Sequence, residues 1–252
     1  MLRNDDCLVV LPARMQSSRL PDKMLADIHG APLVVRTAQN VQRMIERCSQ
    51  QVEMVVATDH NRILEVCLEY GIPAVLTSGD CRTGTDRVYD AVNRLGKTVS
   101  RIVNVQADEP LMHRDCLRIM LEDSFKPGWP GCSCGAAEIS GEEAQKASIG
   151  TVAVDCDSNA LYITRAAIPA RKDGGMAPTY LTQVCIYCFS PAALQRFGEL
   201  TPGPCETIED IELLRLIEHG DKVSMVGVPG ERLAVDTPED LEKVRSIYLS
   251  RQ

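Results

Sequence analysis

CLVVLPARMQSSRLPDK, residues 7–23, joins a continuous apolar run to a loop rich in cations. Cys7–Leu11 carries no polar side chain, which suits a strand buried on both faces. The loop that follows places Arg14, Arg19 and Lys23 among two prolines and two serines. A solvated basic face would be helical and interleaved with acids; here Pro12 and Pro21 set the path of a loop instead. Backbone N–H groups in such a loop cradle oxygens while Arg and Lys neutralise charge growing on a leaving group, so it suits a polyphosphate. Loops also carry cations incidentally, and this one read alone leaves a plain surface segment open. The Walker spacing is missing, which excludes a P-loop NTPase. So is the G-x-G-x-x-G turn after the first strand, which argues against a dinucleotide-binding oxidoreductase.

Outward from this stretch, strand and helix signals alternate. Pro32 opens a periodic segment to about Cys48, with Leu33, Val34, Ala38, Val41 and Ile45 on one helical face. Met54–Ala57 reads as a second strand, with Asp59 as N-cap of a helix that reaches Tyr70 and stops at Gly71. Ile72–Leu76, a helix over Gly84–Leu95, and a strand over Ile102–Val105 complete the first half. Strands separated by helices of this length predict βαβ units and a largely parallel sheet. From about Ser124 to Thr182 the pattern breaks. That region carries Pro127, Gly128, Pro130, Gly131 and Gly135, with strand-like pieces at Gly150–Val154 and Leu161–Ile163, and reads as an insertion within one 252-residue domain. The α/β pattern resumes with Val184–Phe189, a helix from about Glu206 to His219 and the strand Val223–Val228. A last helix is capped by Thr237, Pro238 and Asp240.

Composition narrows the function. The net charge of −8 argues against nucleic acid or an anionic membrane as partner through bulk charge, while a local cation cluster still permits an anionic substrate. The apolar run at the N-terminus is too short and too acidic for a secretory signal, and no other stretch approaches a membrane span. Eleven cysteines are scattered along the chain, several inside apolar runs (Cys7, Cys67, Cys185, Cys188), and read as core filler in a reducing cytoplasm. Cys132 and Cys134 lack the spacing and the second pair that a zinc site needs.

Two aspartates stand out. Asp108 follows the strand Ile102–Val105, and Asp236 follows the apolar Leu233–Val235. A carboxylate straight off a buried run is costly unless paired or metal-bound, and Mg²⁺ takes one or two carboxylates plus substrate phosphates. Taken singly, Asp108 is equally a helix cap and Asp236 a turn residue. Ligands in open α/β sheets bind beyond the carboxyl ends of strands, where both aspartates and the cation loop fall.

An ordered series of motifs resembles the 3-deoxy-manno-octulosonate (Kdo) cytidylyltransferases, the CMP-Kdo synthetases. It comprises LPARMQSSRLPDK at Leu11–Lys23, VVATD at Val55–Asp59, TGTDR at Thr83–Arg87 and NVQADEP at Asn104–Pro110. It continues with LYITRAAIP at Leu161–Pro169, Ile186–Tyr187 and VDTPEDLE at Val235–Glu242. The resemblance implies a Rossmann-like, three-layer α/β fold of the nucleotide-sugar transferase kind, mostly parallel, with an inserted dimerisation subdomain and a homodimer. It implies a cytoplasmic enzyme of lipopolysaccharide biosynthesis that couples CTP to an acidic sugar, with Mg²⁺. Arg14 and Lys23 would hold the CTP phosphates with Arg19 nearby. Ala13, Thr83, Gly84 and Gln106 would frame the cytosine and ribose. Asp108 and Asp236 would bind Mg²⁺, Arg165 would face the sugar carboxylate, and Gln183, Tyr187 and Glu212 would line the sugar pocket.

Three positions depart from that family. Ala107 stands where Gly is usual, Gln183 where His is usual and Leu213 where Gln is usual. The last two belong to the sugar side, and leave open an amino-substituted octulosonate or a nonulosonate as acceptor. An inactive nucleotide-binding paralogue is a further alternative, against which stand Arg14, Lys23, Asp108 and Asp236, all present.

Overall fold

The computed structural model describes residues 6–230 and 233–250. Its elements run β1 (Asp6–Ala13), α1 (Leu33–Ile45), β2 (Gln51–Thr58), α2 (Asn61–Glu69), β3 (Ala74–Leu76), α3 (Gly84–Leu95), β4 (Arg101–Val105) and α4 (Cys116–Ser124). They continue with β5 (Cys132–Ser140), α5 (Gly141–Ala144), β6 (Thr151–Val154), β7 (Ala160–Thr164), β8 (Thr179–Phe189) and α6 (Pro191–Glu199). Last come α7 (Pro204–Glu209), α8 (Leu214–Glu218), β9 (Ser224–Gly227) and α9 (Pro238–Ser250). The chain divides into two compact units, residues 1–118 with 230–252, and residues 119–229.

The first unit is a parallel sheet in the order β3-β2-β1-β4. β1 is buried from Cys7 to Ala13, as its unbroken apolar run requires. Strand order runs outward from β1 to β3 and then returns to β4 on the far side of β1. Right-handed crossovers therefore place α1 and α2 on one face and α3 on the other, which makes three layers. The order reverses between β1 and β4, and the crevice at such a switch point is where these sheets bind ligands. The loops after both strands open there. α3 begins in a capping box: Thr83 Oγ1 accepts from Asp86 N at 3.0 Å, and Asp86 Oδ2 accepts from Thr83 N at 3.0 Å. The same device starts α9, where Thr237 and Asp240 exchange bonds of 3.1 and 3.2 Å.

The second unit is a mixed sheet. β5 pairs antiparallel with β8 and parallel with β9, while β6 pairs antiparallel with β7 and β8. Gly135 on β5 is obligatory, because a Cβ there would lie 2.8 Å from Ile186 Cγ2. Phe189 and Phe197 meet edge to face at 6.4 Å, both fully buried, and join β8 to α6.

Two expectations need correction, and two elements were not anticipated. The N-cap of α2 is His60, whose side chain accepts from Arg62 N at 3.2 Å; Asp59 is engaged elsewhere. The Gly- and Pro-containing stretch after Ser124 holds β5, whose alternation is masked by small residues and cysteines. The expected helix Glu206–His219 is two short helices, because Asp210 takes a left-handed conformation (φ 52°) and ends α7. α6 was not anticipated, although Ser190 and Pro191 are a readable start: Ser190 Oγ accepts from Ala193 N at 3.1 Å.

Candidate active site

In the first unit, the loop after β1 returns to the sheet through a 3₁₀ turn at Lys23–Leu25. That turn buries the Lys23 side chain, which retains 11% of its exposure. A buried ammonium needs anionic partners, and Lys23 Nζ has two: Asp108 Oδ2 at 2.6 Å and Asp236 Oδ1 at 3.2 Å. Arg19 adds a third cationic contact, to Asp236 Oδ1 at 3.0 Å. Backbone pairing explains how aspartates so far apart in sequence meet. Val235 N donates to Asp108 O at 2.9 Å, which sets Asp236 beside Asp108. The two carboxylates thus share one cation, the Lys23 ammonium.

The neighbouring predicted residues take distinct places. Ala13 is buried at the end of β1, paired with Thr58. Arg14 is exposed and makes no ion pair with the described residues. Gly84 opens α3 so close to Gln106 that a Cβ would lie 2.7 Å from Gln106 Nε2. Glycine is therefore what lets the amide beyond β4 lie against the start of α3. Ala107 is accommodated: it is 1% exposed, and its carbonyl accepts from Thr37 Oγ1 at 2.7 Å.

Two residues here lie in motifs that the sequence marks but were given no role at the site. Asp59 Oδ1 accepts from Met15 N at 3.0 Å, and its Oδ2 accepts from Arg87 at 3.1 Å. The Arg87 side chain is 3% exposed and also donates to Thr77 Oγ1 at 2.6 Å and Ser78 O at 3.3 Å. The signal was present, since Asp59 follows the apolar Met54–Ala57 just as Asp108 follows Ile102–Val105.

The second unit carries the residues expected on the sugar side. Arg165 donates from Nε to Glu209 O (2.7 Å), and from its terminal nitrogens to Ala147 O and Asp210 O (both 3.1 Å). This leaves one hydrogen on each terminal nitrogen for a further acceptor. Glu209 anchors the arrangement by accepting from Arg165 N at 2.9 Å and Thr164 Oγ1 at 2.6 Å. Burial works to raise the Glu209 pKa, but the bonds from Thr164, Arg165 N and Tyr162 outweigh it and hold the carboxyl below its ordinary value.

Tyr187 is 3% exposed, and burial first, then Cys185 and Glu212, pushes its phenol well above the ordinary value. Glu212 is half-buried and within electrostatic reach of that ring. Cys185 is not core filler, because β8 bulges there. Cys134 pairs with Tyr187 but the adjacent Gly135 pairs with Val184, which leaves Cys185 and Ile186 between. Bulges often re-aim side chains beside active sites, and Cys185 is half-exposed. Gln183 is 9% exposed, and its Oε1 has no partner among the described residues. Leu213 is fully buried at the start of α8. Among the described residues, no group of His, Cys, Asp and Glu forms a clustered metal site of three or more ligands. No described helix is long and apolar enough to cross a membrane.

The parallel sheet, with a cation loop after β1 and two aspartates at the switch point, is the arrangement of an α/β protein that binds an anionic ligand beyond its strand ends. Residues 8–223 match the cytidylyltransferase family model, so the arrangement is that of a nucleotidyltransferase, and the chain belongs to that family. Among similar curated proteins is the 3-deoxy-manno-octulosonate cytidylyltransferase of Chlorobium chlorochromatii, 36% identical over 98% of both chains. That of Nitratiruptor sp. is 35% identical over 96% of this chain and 99% of its own. A solved CMP:2-keto-3-deoxy-manno-octonic acid synthetase complexed with CTP superposes with a TM-score of 0.88 at 31% identity, covering 98% of this chain and all of that one. A cytidylyltransferase from Leptospira borgpetersenii, at 17% identity and a TM-score of 0.60, shares the fold.

Proposed function

We propose that this chain transfers CMP from CTP to the anomeric hydroxyl of 3-deoxy-manno-octulosonate and releases pyrophosphate. The observation that carries this reading is the meeting of Lys23, Arg19, Asp108 and Asp236 at the strand ends, in a chain that matches relatives named for this reaction over nearly their whole length.

Asp108 and Asp236 fit Mg²⁺, since both are hard oxygen donors that already converge on one positive charge. Bound there, Mg²⁺ would supply charge neutralisation at the phosphate oxygens. The chain's own residues do the rest by position and charge. Lys23 is a fixed cation, held by its partners where charge develops on the departing pyrophosphate. Arg14 reaches phosphate without breaking an existing ion pair. The hydrogens left on Arg165 suit a carboxylate, which two parallel bonds can orient. Tyr187, buried on β8 beside Cys185 and Glu212, would act from behind these residues rather than from the surface of the pocket.

One observation favours a second reading, the same transfer to a different acidic sugar. The side-chain carbonyl of Gln183 is buried without a partner, which costs about 1–3 kcal/mol. An amino group on an octulosonate or nonulosonate is a donor of the kind that would relieve it. Pyrophosphate release with CTP, Mg²⁺ and a panel of acidic sugars separates the two. Release with Kdo alone establishes the first reading, release with another sugar alone replaces it, and no release with any sugar removes both.

We further infer a homodimer, from two strongly exposed apolar residues on the second unit: Leu161 on β7, 60% exposed, and Ile208 on α7, 83% exposed. The use of CTP, a cytoplasmic metabolite, supports a cytoplasmic location as part of the same proposal.

A further inference from the structure

The functional reading leaves one charge pair, a buried arginine on a part-buried aspartate, without a task. Asp59 stands at the end of β2 and divides its two oxygens. One accepts from Met15 N at 3.0 Å, the backbone amide next to Arg14; the other accepts from the buried Arg87 at 3.1 Å. Arg87, on α3, spends its other guanidinium nitrogen on Thr77 Oγ1 and Ser78 O, in the segment that leads from β3 to Thr83 and Gly84. Thr77 is fixed a second time, its N–H donating to Thr58 O at 2.8 Å. A pair serving only to join α3 to β2 would have no need of the Met15 amide. One ion pair therefore ties the loop that carries Arg14 to the segment from Thr77 that leads to Thr83 and the start of α3 at Gly84.

We propose that Asp59 and Arg87 are positioning residues for CTP, holding the phosphate loop and the base-side loop in register so that one nucleotide spans both. The proposal rests on the CTP reading given above. Neither residue touches the nucleotide in this account. Asp59 acts through Met15 on Arg14, and Arg87 acts through Asp59 and through Thr77 and Ser78. Removing Asp59 would leave the buried Arg87 charge uncompensated, which is costly. The pair is thus well suited to keep two loops from drifting independently.

The test compares CTP with CMP, since a displaced Arg14 costs only the ligand with the full phosphate chain. Titration calorimetry on the intact protein, with Mg²⁺ present and sugar absent, gives both affinities. In Asp59→Asn the expected result is a CTP affinity about tenfold weaker with CMP changed by less than about twofold. In an Arg14→Ala background the same substitution should cost CTP less than about twofold, as double-mutant coupling requires. Asp59→Leu with Arg87→Met removes both charges but also frees Thr77 and Ser78 on the base side. It should weaken CTP by more than about tenfold and CMP by a clearly smaller factor, and it stands in should Asp59→Asn fail to fold by circular dichroism. Equal weakening of CTP and CMP, or a full loss that persists without Arg14, would make the pair merely structural and overturn the proposal. Wild-type affinities in the variants would overturn it as well. A wild-type protein that binds neither nucleotide overturns both this proposal and the CTP reading beneath it.

Discussion

At the scale of single residues, charge is what the sequence marks and the fold arranges. Lys23 is an ordinary lysine on paper. Its burial between Asp108 and Asp236 depends on a bond between Val235 and Asp108 that no local pattern encodes. Asp108→Asn should keep the fold, because the amide still accepts from Lys23. Metal-borne charge stabilisation is worth several kcal/mol, so pyrophosphate release should fall about a thousandfold, at every Mg²⁺ concentration tested. Near-normal turnover would remove Asp108 from the metal. Glu209 gives a second prediction, in pH. Its carboxyl is held below the ordinary value, chiefly by Thr164 and Arg165 acting against burial. The stability it contributes is therefore complete above the unfolded carboxylate pKa of about 4.3 and is lost as pH falls from there through the lower folded value. Glu209→Gln should flatten that part of the melting-temperature profile; an unchanged acid limb would contradict the assignment. The sequence singled out Lys23 and Asp108 because each lies in a recognisable motif. It gave Asp59 a helix cap, because a local role was available and its true partners lie 44 and 28 positions away.

At the scale of elements, local signals were strong wherever a helix carries its own cap. α3 starts and stops at the residues its sequence announces, with Thr83 and Asp86 at one end and a left-handed Gly96 (φ 57°) at the other. The Gly84 contact shows what the helix start does for the site. Gly84→Ala would drive a Cβ to 2.7 Å from Gln106 Nε2, the end of a side chain that can move. The fold should survive, the Gln106 amide should shift, and the KM for CTP should rise by several fold, as steady-state kinetics at saturating sugar would show. An unaltered KM would separate Gln106 from the nucleotide. Ser190→Ala, which removes the cap of α6, should lower stability by about 1 kcal/mol in chemical denaturation and leave turnover intact. α6 was missed although it carries its own cap; the other elements that the sequence misread lack such punctuation. β5 is built of small residues and cysteines that give no clear period, and the break between α7 and α8 hangs on one left-handed aspartate.

At the scale of the whole molecule, the apolar residues Leu161 and Ile208 bear on assembly. Ile208→Asp should convert the proposed dimer to monomer in sedimentation velocity without unfolding the chain, since an 83% exposed side chain is not part of the core. A wild-type protein that sediments as a monomer would end the dimer reading. The class of fold was legible because alternating buried runs and amphipathic helices leave a parallel sheet as the economical solution, and the strand ends then locate the crevice. The charged residues expected on the nucleotide side stand out for the same reason: Arg14, Asp108 and Asp236 follow apolar runs closely, where charge is costly and so conspicuous. What only the tertiary structure decided is which charges meet. Lys23 between two aspartates, Asp59 shared by Met15 and Arg87, and the unpartnered Gln183 are all contacts between segments remote in sequence. Periodicity and capping report on a few neighbouring residues, whereas a buried charge is defined by whatever the folded chain brings within hydrogen-bonding distance.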